Sequence, residues 1–124
     1  MGERTSHAPG TLSWTDLATS DPEAAKTFYS ALFGWEHEDI PIPEEGGGGT
    51  YTMLSKDGKI AAALSASQGG MPPHWTSYVT VESADESAAR AKELGATVMM
   101  EPFDVLDAGR MAVLQDPTGA VFCV

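Results

Sequence analysis

The chain has 124 residues, with eighteen Asp and Glu against seven Lys and Arg and a formal net charge of −11. That balance excludes a nucleic-acid partner, because no basic stripe is available to offset phosphate charge. No apolar run reaches the roughly 18 residues a membrane helix needs, so no membrane span is expected. The length fits one domain, and a hydrophobic content of 42% is enough for a packed core.

Residues 1–10, MGERTSHAPG, are polar, lack the apolar centre of a signal peptide, and read as a disordered arm. The first strand follows over 11–18. In LSWTDLA the side chains alternate, with Leu12, Trp14 and Asp16 on one face and Ser13, Thr15 and Leu17 on the other. TSDPEAAKTFYSALFG then reads as a helix. Ser20 and Glu23 stand at capping-box spacing, Pro22 suits the first turn, and Gly34 stops it. Ala25, Phe28 and Leu32 form its expected buried stripe.

Three strand-like runs follow, over 35–40, 50–55 and 59–65. PEEGGGG interrupts them as a mobile loop, and KDGK reads as an Asp-Gly hairpin turn. The linker ASQGGMPPH leads to a fifth strand over 76–81. The second helix, SADESAARAKELG, repeats the cap spacing at Ser83 and Glu86. Its stripe is Ala84, Ala88, Ala91 and Leu94, and Gly95 ends it. Three further strands are expected over 96–101, 110–115 and 120–124, with DPTGA as the last hairpin turn.

The order is therefore β-α-β-β-β, twice, at an offset of about 61 to 63 residues set by Ser20/Ser83, Gly34/Gly95 and Gly58/Gly119. The first module spans 11–68 and the second 74–124, within one domain over 11–124. The single cysteine, Cys123, permits no internal disulfide and fits a reducing, cytoplasmic location. Without a CxxC pair, a thiolate zinc site is excluded.

With these modules, the segments SDPEAAKTFYSALFGW, VESADESAARAKELGA and QDPTGAVF make the chain resemble the vicinal oxygen chelate superfamily over residues 11–124. This is the glyoxalase, bleomycin-resistance and extradiol-dioxygenase group. Within it, the glyoxalase-like or hydroxylase-like domains of actinobacteria are the most similar. The resemblance implies an α+β fold in which two tandem βαβββ modules form a U-shaped, eight-stranded mixed sheet with the helices outside and a binding cup inside. It also implies that single-domain members associate as homodimers.

Metal-dependent members carry four ligands, one on the first and one on the last strand of each module. Carried over residue by residue, those positions fall on Trp14, on Ala62 or Ala63, on Thr76 and on Cys123. One hydroxyl and one thiol do not make a divalent-ion site, so no metal and no cofactor are expected. Strand parity instead gives the cup an aromatic and apolar lining of Trp14, Asp16, Thr76, Tyr78, Met111, Val113 and Cys123, joined by Tyr51 and Met53. His74 shares the face of Thr76 and is the titratable candidate there.

The expected function is metal-free binding of a small organic molecule, stacked on Trp14 and Tyr78, with a cationic guest favoured by the acidic balance. The alternative is a metal-dependent lyase or dioxygenase of the same superfamily with a non-standard site. No catalytic residue is assigned.

Overall fold

The structure is a computed structural model that describes residues 4–124; Met1 to Glu3, the tip of the expected arm, lie outside the described residues. Eight strands form one mixed sheet in the order β2-β3-β4-β1-β5-β8-β7-β6. They are β1 (Leu12–Thr19), β2 (Glu36–Pro41), β3 (Thr50–Lys56), β4 (Lys59–Ala66), β5 (His74–Val79), β6 (Thr97–Val105), β7 (Gly109–Gln115) and β8 (Val121–Cys123), with helices α1 (Pro22–Phe33) and α2 (Ala84–Glu93). The α+β class and the doubled βαβββ order expected from the repeat are both present. Chain contacts divide the molecule into two compact units. One is residues 15–75; the other joins the segment ending at Trp14 to residues 76–124.

In the unit of residues 15–75, β4 pairs parallel with β1 and antiparallel with β3, and β3 pairs antiparallel with β2. Leu17, Leu54, Ala62 and Leu64 form the core, with Ala25, Tyr29 and Trp35 packed against it. The KDGK turn is a two-residue hairpin connection with positive φ at both Asp57 (51°) and Gly58 (78°), the conformation this dipeptide favours. Gly47, Gly48 and Gly49 all take positive φ, which only glycine adopts freely. Their loop is closed by hydrogen bonds from Gly48 N to Pro43 O (3.0 Å) and from Ile42 N to Gly49 O (2.9 Å).

Helix α1 departs from expectation at two points. Its cap is Asp21, not Ser20: the Asp21 carboxylate accepts from the Ala24 amide at 3.0 Å. Pro22 at the first helical position fixes the cap one residue before it. The buried stripe is also rotated. Phe28 and Leu32 are 58% and 57% exposed, whereas Lys26 is only 6% exposed.

Lys26 is brought inward by charge. Its Nζ lies 2.7 Å from Glu23 Oε1, and 2.9 and 3.0 Å from the two carboxylate oxygens of Asp39. The buried Thr52 hydroxyl donates to Asp39 Oδ1 at 2.7 Å. A buried ammonium is tolerated when paired and hydrogen-bonded in this way.

In the second unit, α2 is capped as the spacing predicts, with the Ser83 hydroxyl accepting from the Glu86 amide at 3.1 Å. Ala88, Ala112 and Leu114 form its core, with Ala91, Val98, Phe122 and Val124 packed against them. The small side chains of α2 let the helix lie close to β7. Leu94, expected in the stripe, is 63% exposed. It sits at the C-cap, just beyond the last helical residue, where Gly95 (φ 95°) turns the chain.

The DPTGA turn is held by Asp116, whose carboxylate accepts from the Thr118 amide and hydroxyl (2.8 Å each) and the Ala120 amide (3.1 Å). These bonds hold its carboxyl below the ordinary value. Strand β6 runs on to Val105, past the expected end at 101, because register shifts at Val98/Met100 and Met100/Phe103 admit Pro102. Ahead of β1, Gly10 N donates to Thr80 O at 2.8 Å and Thr80 N donates to Thr11 O at 2.9 Å.

Candidate functional site

The unit containing residues 76–124 holds an open cleft of about 620 Å³. Trp14, Tyr78 and Met111, three of the residues singled out by strand parity, line it together with Glu82, Asp85 and Arg110. Parallel pairing of β5 with β8 sets Tyr78 against Cys123, and antiparallel pairing of β8 with β7 sets Cys123 against Val113. Tyr78, Cys123 and Val113 therefore form one row across the sheet. Thr76 and Met111, each two residues along its own strand, share that face. Ala112 and Leu114 take the opposite face, under α2. Cys123 is buried, and neither it nor Thr76 nor Val113 lines the cleft.

The polar wall of the cleft was not legible in the sequence. Arg110, at the start of β7, holds Asp85, in the first turn of α2, through a two-pronged contact: Nε to Oδ2 at 2.6 Å and Nη2 to Oδ1 at 2.9 Å. Its Nη1 donates to Asp104 at 3.2 Å. The Arg110 hydrogen bonds hold the Asp85 carboxyl below its ordinary value, and Asp85 and then Asp104 drive the Arg110 guanidinium still further from deprotonation. The guanidinium is thus oriented by two carboxylates, and with Glu82 the wall carries more negative than positive charge. No spacing rule connects Asp85 to Arg110, since they meet only through packing of α2 on the sheet.

The other candidates lie in the unit of residues 15–75. Asp16 pairs with Ala63, and Ala63 with Met53, so these three share a row. Tyr51 donates its phenolic hydrogen to Asp16 Oδ2 at 3.1 Å. It spans β4 from β3 to β1, and the small side chains of Ala63 and Ser65 leave the room. His74 opens β5, with Nδ1 2.8 Å from the carbonyl oxygen of Pro72; the tautomer protonated at Nδ1 donates this bond. The same register separates Ala62 from Ala63. Ala62 belongs to the core under α1, while Ala63 is the strand partner of Asp16, as Cys123 is of Tyr78.

The sequence profile of the Glyoxalase/Bleomycin resistance protein/Dioxygenase superfamily matches residues 11–124. The chain belongs to this superfamily. It is 44% identical over 124 residues to CFP32 of Mycobacterium tuberculosis, provisionally named a glyoxylase, a match covering 97% of this chain and 47% of that protein. It is 40% identical over 135 residues to the anthracycline biosynthesis protein DnrV of Streptomyces peucetius, covering 97% of this chain and 48% of that one. The chain spans about half the length of these curated relatives. Among solved structures, methylmalonyl-CoA epimerase of Streptomyces coelicolor superposes with a TM-score of 0.64 at 20% identity, over 94% of this chain and 93% of that one. A hypothetical protein of Bacillus halodurans does so at 0.66 and 15%, over 91% of each. These structures share the fold.

The positions that the resemblance carries over as ligand sites offer a poor donor set for a divalent ion. The indole of Trp14 offers only an N–H donor, Ala62 or Ala63 offers nothing, and Thr76 and Cys123 supply one hydroxyl and one buried thiol. Among the described residues no three His, Cys, Asp or Glu side chains gather as a possible ion site.

Proposed function

We propose that this chain is a small-molecule-binding domain that holds its guest without a metal, in the cleft beside Trp14 and Tyr78. The observation that carries this reading is the cleft's make-up. Two aromatic side chains and Met111 supply an apolar wall, and an oriented Asp85–Arg110 pair with Glu82 supplies a polar one. Sites for organic ligands combine these two elements. The excess of carboxylates on the wall suits a planar guest with a cationic group. The name of the Streptomyces peucetius relative, an anthracycline biosynthesis protein, supports a polycyclic aromatic guest.

The test is a fluorescence titration of the Trp35→Phe/Trp75→Phe chain, in which Trp14 is the sole indole, with planar cationic aromatics that include an anthracycline. A saturable change in Trp14 emission is expected. Trp14→Ala in the otherwise native chain, followed by calorimetry, is expected to weaken binding about tenfold or more, since lost ring contact and buried area together exceed about 1.4 kcal/mol. No saturable response, or unchanged affinity in Trp14→Ala, overturns the reading. Stoichiometric divalent metal in the chelator-free protein, with metal-dependent turnover, would favour a lyase or dioxygenase instead.

A further inference from the structure

We infer that Arg110 takes a neutral carbonyl oxygen of the guest, an assignment that rests on the binding role proposed for the cleft. A ketone, quinone or amide group beside the planar ring is then part of what the cleft selects. Arg110 lines the cleft together with Trp14, Tyr78 and Met111. A guanidinium carries five N–H donors and no acceptor. Three of them are committed, Nε and Nη2 to Asp85 and one hydrogen of Nη1 to Asp104. One hydrogen on each terminal nitrogen is left, without a partner among the described residues.

Charge decides which acceptor these donors take. The positive charge of Arg110 already faces the carboxylates of Asp85 (2.6 and 2.9 Å) and Asp104 (3.2 Å), and Glu82 lines the same cleft. A carboxylate or phosphate on the guest would bring one more negative charge to a wall that holds three, and like charges brought together at a binding surface are strongly disfavoured. An ammonium group is a donor, as the guanidinium is, and cannot accept from it. A carbonyl oxygen offers two lone pairs, carries no charge and has no proton to place, so it accepts these hydrogens without adding to the acidic excess.

The donors are also set in place before a guest arrives. Asp85 on α2 and Asp104 on β6 hold the guanidinium from two elements, so little side-chain freedom is lost on docking. The Arg110 side chain is 42% exposed, and solvent reaches its two remaining hydrogens while the cleft is open. A flat ring laid beside Trp14 and Tyr78 displaces that solvent. A ring with a carbonyl group replaces the lost water by a hydrogen bond. A ring without one leaves charged donors stripped and unpaired. Enclosed sites turn this difference into very large ratios, and in a cleft this open about tenfold is expected.

Calorimetry with aminomethyl-anthraquinone and aminomethyl-anthracene tests this, because the two rings differ only in their carbonyl groups and their common amine cancels the pull of Glu82. The native chain is expected to bind the quinone about tenfold more tightly. Arg110→Met/Asp85→Asn removes both partners of the ion pair, so no charge is stranded. It is expected to bind the two rings equally, with its affinity for aminomethyl-anthracene and its circular-dichroism spectrum unchanged. Arg90→Ala, at an exposed arginine of α2 outside the cleft, is expected to keep the preference. Anthracene carboxylate is expected to bind more weakly than aminomethyl-anthracene. A native chain that binds neither amine overturns the binding role itself, and this assignment with it. Equal affinity of the native chain for the two rings, a preference that survives Arg110→Met/Asp85→Asn, or tighter binding of the carboxylate overturns the assignment of Arg110 and leaves the cleft a binding site.

Discussion

Leu64→Ala is expected to destabilise the protein by about 3 kcal/mol and lower its melting temperature by roughly 10 °C. Leu64 stands on β4, the strand that joins β1 to β3, and is fully buried in the cluster of Leu17, Leu54 and Ala62. Truncation there removes a buried isobutyl group and leaves a cavity that strands on both sides prevent from collapsing. Domains of this size are stable by only about 5–15 kcal/mol, so the loss is a large fraction of the total. Leu12→Ala, at an exposed position on β1, is the control and is expected to change stability by no more than about 0.5 kcal/mol. Urea denaturation of both variants checks the contrast. Equal losses would mean that the core is not where the structure puts it.

Asp39→Leu is expected to lower the urea midpoint sharply, because it leaves the buried Lys26 ammonium with Glu23 alone and the buried Thr52 hydroxyl without its acceptor. Removing the whole network in Lys26→Met/Thr52→Val/Asp39→Leu is expected to recover much of that loss, since an apolar replacement avoids the cost of a stranded charge. The network also sets a pH dependence. The Thr52 hydroxyl, and then Lys26, hold the Asp39 carboxyl below its ordinary 3.8. Its contribution is therefore present above that value and lost as pH falls through the lower folded one. Hydrogen bonds to Glu23 and then Asp39 hold Lys26 above its ordinary 10.5, so its contribution is full below 10.5 and lost only as pH rises beyond the folded value. Between those two limits the contribution of this network is level. Thr52→Val removes the largest influence on Asp39 and is expected to move the acid limb to higher pH. An acid limb that stays in place would show that the hydroxyl does not support the carboxylate.

The same network explains why part of the fold was hidden from the sequence. Caps, hairpin turns and the repeat are local signals, and Ser83, Gly34, Asp57–Gly58 and Asp116 announced themselves. On α1 Ala25 faces the core as the periodicity predicts, but Phe28 and Leu32 do not, because periodicity counts lysine as an outward residue. Lys26 turns inward only because Asp39, on a different element, is there to receive it. Leu94 was misread because the apolar period runs one step past the end of the helix. For the candidate site, alternation along strands placed Tyr78, Val113 and Cys123 on one face, and pairing set them in one row. The Asp85–Arg110 wall depends on the docking of α2 against β7, which leaves no trace in residue spacing.

The pairing of Gly10 and Thr11 with Thr80 has a consequence for the order in which the chain acquires structure. The residues of one unit, 15–75, are continuous in sequence, and its β2–β3–β4 meander closes through short loops. The other unit needs the first strand's beginning and the chain's last residues together, because Tyr78 pairs with Cys123 and Thr80 holds the N-terminal segment. Long-range closure of this kind is slow compared with hairpin formation. During synthesis Gly10 and Thr11 emerge well before Thr80 and wait for it. Pulse-labelled hydrogen exchange is expected to protect the amides of β3 and β4 before those of Gly10 and Thr80, and the reverse order would contradict it. Gly10 and Thr11 thus settle only after a partner made long after them.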